Sequence, residues 1–227
     1  MMQIVALIPA YNEADRIGTT VSAVMRVPQI DRIVVVDDGS SDGTGDAARL
    51  AGAEVLSLPM NAGKGGALDA GYEFVAAEAR IIVLLDGDLG ETAAQASLLL
   101  EPILSGSADM SIARFPRPAN KAGFGLVMGL ARRGIRILGG SFDAQAPLSG
   151  QRALSRNALE ACTPFGFGYG VEVALTIRAL RAGLSVVEVP TTMAHAATGR
   201  DIAGFRHRGR QFAHVLRALV RLAFERR

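Results

Sequence analysis

Short aliphatic runs that end in charged or hydroxyl residues recur along this chain, and each is followed by a stretch of helical period. Residues 3–9, 33–36, 54–58 and 81–86 are rich in branched aliphatics and read as strands, the most apolar of them buried on both faces. The stretches 13–26, 46–51 and 61 to about 79 carry helical spacing and open beside acidic, asparagine or glycine residues. A helix over 92–104 and a fifth strand over 109–113 complete the alternation. Strand and helix taking turns in this way predict an α/β fold with a mostly parallel, doubly wound central sheet flanked by helices.

After Arg114 the rhythm changes. A helix over 123–138 carries Leu126, Val127, Leu130, Ile135 and Leu138 on one side, and Pro147-Leu148-Ser149-Gly150-Gln151-Arg152 reads as a turn leading through a short helix near Asn157. Glycines at 166, 168 and 170 mark a tight or adaptable loop, followed by a helix over 172–182 and a last strand over 184–190. From residue 202 onward Phe212, Val215, Leu216, Leu219, Val220 and Ala223 fall at helical spacing with arginines between them. Such a basic amphipathic helix suits an anionic membrane surface, a partner chain in a homodimer, or the body of the domain itself.

Composition narrows the class. A length of 227 residues, nearly half of them hydrophobic, fits one globular domain over 1–227 rather than a disordered chain. The single cysteine, Cys162, excludes an internal disulfide and reads as a small buried hydrophobe, which favours a reducing, cytoplasmic compartment. The first nine residues lack a basic segment and a small-residue cleavage pattern, so no secretory signal is expected, and no apolar run reaches the roughly 18 to 20 residues that cross a bilayer. The net charge of +2 is unevenly spread, with eight arginines from Arg200 to Arg227 against Asp201 and Glu225. Residues 114–160 hold eight lysines or arginines against Asp143 and Glu160, which favours anionic ligands there. No zinc spacing and no interleaved aromatics on strands point to nucleic acid.

The chemistry gathers where strands end. Asp86-Gly87-Asp88 closes the most apolar strand, and ligands of open α/β sheets bind outside the carboxyl ends of strands. Two carboxylates that close repel each other unless a cation or a proton intervenes, so a divalent ion bridging to a phosphate is the expected resident, solvated turn aspartates being the bland alternative. Asp37 and Asp38 end the second strand, while Ser41 and Asp42 read as caps for the helix that follows. Gly63-Lys64-Gly65 offers backbone amides and an ammonium to an anion without the spacing of a Walker loop. Glu172 either complements the dipole of its helix or faces the crevice as a carboxylate. His195, alone in the last loop, reads as structural or exposed more readily than as a ligand.

Together, Pro9-Ala10-Tyr11-Asn12-Glu13, the run from Val35 to Thr44, the segment 61–67 and Asp86-Gly87-Asp88 resemble the family 2 type glycosyltransferases with the GT-A nucleotide-sugar-binding fold, in that family's order and spacing. The resemblance implies a donor half over 1–113, an acceptor half over 114–200 and a basic helical tail over 201–227. It implies that Pro9, Tyr11, Glu13 and Asp38 hold base and ribose and that Lys64 approaches the nucleotide. By the same resemblance Asp86, Gly87 and Asp88 serve ribose and a diphosphate-bound Mg²⁺ or Mn²⁺, Asp86 and Asp88 being the catalytic carboxylates, with Glu172 a candidate catalytic carboxylate for positioning. Residues 147–150, 165–172 and 183–189 are similar to glucosyl-3-phosphoglycerate synthases, and that likeness makes His195 a metal ligand alongside Asp88 and implies retention of anomeric configuration.

Polyprenyl-phosphate sugar transferases share the first half but carry a glutamine where this chain has Gly90. The Gly-Arg-x-Thr element that grips the acceptor phosphate in the phosphoglycerate enzymes reads Gly123-Phe124-Gly125-Leu126 here. Another phosphate acceptor, small or lipid-linked, would then fall to Arg114, Arg117, Lys121, Arg200 or Arg206. The expected activity is hexose transfer from a nucleoside diphosphate sugar such as UDP-glucose. An inverting polyprenyl-phosphate transferase at the inner membrane face and a non-catalytic nucleotide-sugar-binding protein are the rival readings.

Overall fold

The computed structural model describes residues 3–116, 125–166, 170–194 and 202–225, with backbone alone over 202–211. Seven strands form one sheet: β1 (Gln3–Ala10), β2 (Arg32–Asp37), β3 (Glu54–Ser57), β4 (Ala79–Leu84), β5 (Met110–Arg114), β6 (Arg152–Ser155) and β7 (Val186–Pro190). Their order is β3-β2-β1-β4-β6-β5-β7. Every pairing is parallel except those of β6, which runs antiparallel to both β4 and β5.

Branched aliphatics alternate across this sheet and feed two cores. Ala6, Ile8, Val35 and Val83 face α1 (Ala14–Val24), α2 (Thr44–Leu50) and α4 (Ala96–Leu104). Val5, Leu7, Val34, Val36, Ile82 and Leu84 face α3 (Gly63–Val75), α6 (Arg156–Cys162) and α7 (Val171–Arg181). A third cluster packs α5 (Gly125–Gly139) and α8 (Ile202–Phe224) onto the outer side of α7 through Ala131, Ile135, Ile177, Val215 and Leu219. Close approach is written into Gly71 on α3, where an added Cβ would lie 2.6 Å from Leu7 Cδ1 and 2.7 Å from Val36 Cγ2.

The sheet is the mostly parallel one the alternation predicts, but the sequence reading misses β6. That segment is only four residues long, Leu154 is its one large aliphatic, and it contains a fully buried Arg152 where an aliphatic would be expected. The guanidinium survives there because Nε donates to the Ser149 carbonyl at 2.9 Å and Nη1 donates to Thr176 Oγ1 at 2.8 Å. Burial still drags its pKa down to about 10, against the opposing pull of Glu172. Two local readings are adjusted. The helix read over 92–104 is a 3₁₀ turn, Gly90–Gln95, followed by α4. Gly43 holds the N-cap position of α2 and offers no side-chain cap, but Asp42 accepts from Thr44 N, the first N–H of that helix, at 3.0 Å, and also from Ala14 N at the start of α1 at 3.1 Å.

Asp109 ties the far ends of β5, β6 and β7 together. Its Oδ2 accepts from Ser185 N at 3.0 Å and Ser185 Oγ at 2.9 Å, and Oδ1 accepts from Ser155 Oγ at 3.2 Å. Partial burial opposes the charge, but these donors outweigh it and hold the carboxyl below its usual 3.8. A depressed folded pKa stabilises above the unfolded value and loses that contribution as pH falls through the folded one. Asp109→Asn is therefore expected to cost about 1 kcal/mol at neutral pH, solvent screening keeping the loss modest, and the cost should vanish as the pH falls through the depressed folded pKa. Urea denaturation of both proteins across that range checks it.

Candidate active site

The carboxyl ends of β1, β2 and β4 open on one rim of the sheet, and the antiparallel β6 brings its beginning to the same rim, Arg152 pairing with Leu84. Four loops meet there. The loop after β1 turns through Asn12 at φ 55, a left-handed position that asparagine tolerates. It is latched to the loop after β2: Asn12 N donates to Ser40 Oγ and Ser41 N to Asn12 Oδ1, each at 3.0 Å, and Glu13 N donates to Thr44 Oγ1 at 2.8 Å. Pro9 lies within β1 opposite Val36, and Tyr11 stands half exposed on the latched loop. Asp38 is buried, its backbone N–H bonded to the Ala10 carbonyl and its Oδ1 accepting from Ala62 N at 2.7 Å. It thereby clasps the β1 end to the start of α3.

Beyond β4 the chain runs into Asp86-Gly87-Asp88. Thr20, fully buried on α1, donates to the Gly87 carbonyl at 2.8 Å and accepts from Gly90 N at 2.9 Å, so one hydroxyl fixes the turn on which Asp88 sits. Gly87 is packed against α1, and an added Cβ would stand 3.4 Å from both Ala10 Cβ and Ile17 Cδ1.

The two aspartates are treated differently. Asp86 accepts from Lys64 Nζ at 2.7 Å on one oxygen and from Gln151 Nε2 at 2.6 Å on the other. Lys64 also pairs with Glu172 Oε1 at 3.0 Å, so a single ammonium joins carboxylates from β4's end and the first turn of α7. Burial works against the Lys64 charge, but Asp86 and Glu172 outweigh it and raise its pKa above the ordinary 10.5. Glu172 lies in the first turn of α7, where the dipole reading puts it, and its carboxylate also reaches Lys64. Gly150 makes the cluster compact, since a Cβ there would lie 2.5 Å from Lys64 Nζ and 3.2 Å from each Asp86 oxygen.

Asp88 faces Glu13 instead. Burial and the charge of Asp88 together raise the Glu13 carboxyl above its usual 4.5, although Arg16 pairs with it at 3.2 Å. Asp86 thus has two donors, Lys64 and Gln151, while Asp88 adds its negative charge beside Glu13. Among the described residues no group of three histidine, cysteine or carboxylate side chains is set to hold a metal. His195 lies outside the described residues, as do Arg117, Lys121, Arg200 and the side chain of Arg206. Arg114 sits exposed at the end of β5, on the same rim.

Sequence reading did not find Gln151, Gly150 or Thr20 as parts of the site. The first two arrive only because β6 is antiparallel, and Thr20 lies mid-helix with nothing in its neighbours to single it out.

The family model of Glycosyl transferase family 2 matches residues 5–136. Glycosyltransferase AglJ of Haloferax volcanii is 32% identical over 203 residues, which are 86% of this chain, and the match spans 64% of that relative's length. Undecaprenyl-phosphate mannosyltransferase of Micrococcus luteus is 30% identical over 217 residues, covering 88% of this chain and 87% of the relative. Among solved structures, glucosyl-3-phosphoglycerate synthase from Mycobacterium tuberculosis in complex with Mn²⁺, uridine diphosphate and phosphoglyceric acid superposes with a TM-score of 0.79 at 28% identity, covering all of this chain and 80% of that one. The same enzyme is also known with Mg²⁺ and uridine diphosphate, at a TM-score of 0.77.

Proposed function

The chain belongs to glycosyl transferase family 2, and on that footing we propose that it moves a hexose from a nucleoside diphosphate sugar, UDP-glucose or a relative, to a phosphate-bearing acceptor. The observation that carries the reading is the division of the aspartate pair. Lys64 and Gln151 engage Asp86, while Asp88, two residues on, adds its charge to that of Glu13. Magnesium usually binds through one or two carboxylates and completes its shell with water and substrate phosphates, and the place beside Asp88 fits such an ion. Asp88 would hold Mg²⁺ or Mn²⁺, with His195 as a further ligand. Ala194, the residue before it, is bonded to Thr92 just past Asp88, at 3.3 Å. The ion supplies charge stabilisation for the departing diphosphate.

The chain's own residues do the rest. Pro9, Tyr11, Glu13 and Asp38 line the base and ribose on the latched loops, Lys64 borders the nucleotide, and Gly87 keeps the backbone beside it open. Asp86 retains lone pairs for a ribose hydroxyl. Lys64 holds Glu172 in place, so that Glu172 orients the acceptor at the mouth of the acceptor half, 114–200, opposite the donor half, 1–113. The compartment this implies is cytoplasmic. Incubation with UDP-glucose or GDP-mannose is expected to release the free diphosphate slowly in Mg²⁺ or Mn²⁺ and not in EDTA. Metal-dependent donor binding with neither hydrolysis nor transfer would leave a nucleotide-sugar-binding protein and sink the enzymatic reading.

A second reading, a polyprenyl-phosphate acceptor at the membrane surface, is favoured by α8. Phe212, Leu216, Val220 and Phe224 form an exposed row along it, and the helix contains five arginines and no acid. No helix among the described residues is long and apolar enough to cross a membrane, so contact would be peripheral. Sedimentation with anionic vesicles is expected and should fall about tenfold in Phe212→Ser/Phe224→Ser, each buried ring being worth roughly a kcal/mol or more. Sedimentation that ignores lipid, with a mass that doubles on concentration, would assign the row to a homodimer.

A further inference from the structure

Among the described residues Arg152 is the largest side chain that is fully buried. Its neighbours across the sheet are Leu84 and Ile112, both part of the core beneath α7. The guanidinium spends its bonds on neutral atoms: Nε on the Ser149 carbonyl at 2.9 Å, and Nη1 on Thr176 Oγ1 at 2.8 Å with Met110 Sδ at 3.6 Å. Nη2 is buried and, among the described residues, finds no acceptor. A buried cation left one donor short costs stability, and an apolar chain of the same length would cost less. Such a break in the rule of the core points to a task in the neighbouring site.

Both strong bonds of Arg152 lead to the Lys64 cluster. Ser149 opens the turn that carries Gly150 and Gln151. Gly150 lies so close to Lys64 that an added Cβ would stand 2.5 Å from Nζ, and Gln151 Nε2 donates to Asp86 Oδ2 at 2.6 Å. Ser149 Oγ donates to Gln151 Oε1 at 3.4 Å, which fixes the end of the amide that faces the aspartate. The start of the same loop is held by Glu188 of β7, whose Oε1 accepts from Gln145 N and Ala146 N, each at 2.8 Å. On the other side Thr176, having accepted from Arg152, donates to the Glu172 carbonyl at 3.0 Å, one turn earlier in α7. Glu172 returns to Lys64 at 3.0 Å, and Lys64 to Asp86 at 2.7 Å. The bonds close into a ring through both carboxylates that hold the ammonium, and Arg152 joins its β6 side to its α7 side from within the core.

We propose that Arg152 is a positioning residue of the transferase site: from inside the core it sets Gln151 against Glu172, and so the seat of the Lys64 ammonium between Asp86 and Glu172. Being fully buried, it acts only through those side chains. The latched loops after β1 and β2, which border the base and ribose, lie outside the ring, so loss of Arg152 should fall on turnover more than on donor affinity.

The chain has two lysines, Lys64 and Lys121, so the Hε–Cε signals of a carbon-labelled lysine sample report the seat of Lys64 once Lys64→Met assigns them. In the wild type the two Hε protons of Lys64 are expected to differ in shift, being held between two carboxylates. Arg152→Met is expected to merge them toward the shift of a mobile lysine. It should also lower kcat for diphosphate release from UDP-glucose or GDP-mannose about tenfold, with the donor KM within about threefold. The urea midpoint should hold, since a buried charge gives way to an apolar chain of similar length. Arg152→Lys should recover part of both effects. Thr176→Val cuts the α7 side of the ring alone and is expected to move the Lys64 signals the same way by less, which decides the matter if Arg152→Met does not fold. Lys64 signals already averaged in the wild type, or unchanged in both variants, overturn the proposal. So does a lowered midpoint with turnover that falls only with the folded fraction, which would make Arg152 a support of the fold alone. The rate arm rests on the transferase reading and the spectrum does not: no turnover by the wild type, with Lys64 signals that Arg152→Met merges, would sink the enzymatic reading and leave Arg152 positioning a nucleotide-binding site.

Discussion

Asp88→Asn is expected to lower hexose transfer about a thousandfold while leaving the fold intact, because it removes charge from the corner where the departing diphosphate is neutralised. The turn that carries residue 88 is fixed by Thr20 bonds to the Gly87 carbonyl and Gly90 N–H, neither of which involves the Asp88 side chain. The turn itself should therefore be kept, and Glu13 loses the like charge that helps to raise its pKa. Activity measured against Mg²⁺ or Mn²⁺ concentration is expected to lose its saturable metal dependence along with its rate. A variant that keeps the metal dependence at a reduced maximum would show the ion held elsewhere.

Lys64→Met is expected to cut transfer about a hundredfold and to destabilise the protein. The ammonium sits between Asp86 at 2.7 Å and Glu172 at 3.0 Å, with its side chain 24% exposed. Removing it leaves two carboxylates facing each other in a partly buried site. Breaking a fully buried pair costs about 3–5 kcal/mol, and the residual exposure reduces the expectation to about 2 kcal/mol. In the wild type the raised Lys64 pKa means that this contribution is complete below pH 10.5 and is lost only as pH rises through the folded value. In the variant one carboxyl must ionise against the other, so its pKa rises and the acid limb of the activity profile moves upward. Adding Glu172→Gln to Lys64→Met should restore most of the stability and none of the activity. Chemical denaturation and a pH–rate profile read the two effects separately.

The donor half was legible because its signals are local. Aliphatic runs at β2 and β4 stop where aspartates begin, β1 runs into the Tyr11-Asn12-Glu13 loop, and the structure places those ends on one rim beside Lys64 at the start of α3. The partner of Asp86 was not legible. The aspartates were read as a pair awaiting one cation between them, whereas the ammonium of Lys64 bridges Asp86 to Glu172 and Asp88 adds its charge beside Glu13. That arrangement depends on contacts between residues far apart in the chain, which spacing cannot reveal. β6 failed for a related reason. Its assignment rests on pairing with β4 and β5, and the buried arginine within it reads as a surface residue until Thr176 on α7 is seen to accept its hydrogen bond. The amphipathic reading of the tail was legible in part: of its apolar set Val215 and Leu219 pack inward, Phe212, Leu216, Val220 and Ala223 stay exposed, and Leu222, outside that set, joins the core.

Calorimetric titration of UDP-glucose and GDP-mannose into the wild type and Asp88→Asn, in Mg²⁺ or Mn²⁺ and again in EDTA, tests the central claim most directly. The account predicts that one nucleotide sugar binds the wild type with metal, and that either EDTA or Asp88→Asn weakens it at least about tenfold, the loss of one charge-assisted contact to the diphosphate. Failure of both nucleotide sugars to bind, or equal binding by the variant in EDTA and in metal-containing buffer at the wild-type affinity, would contradict it.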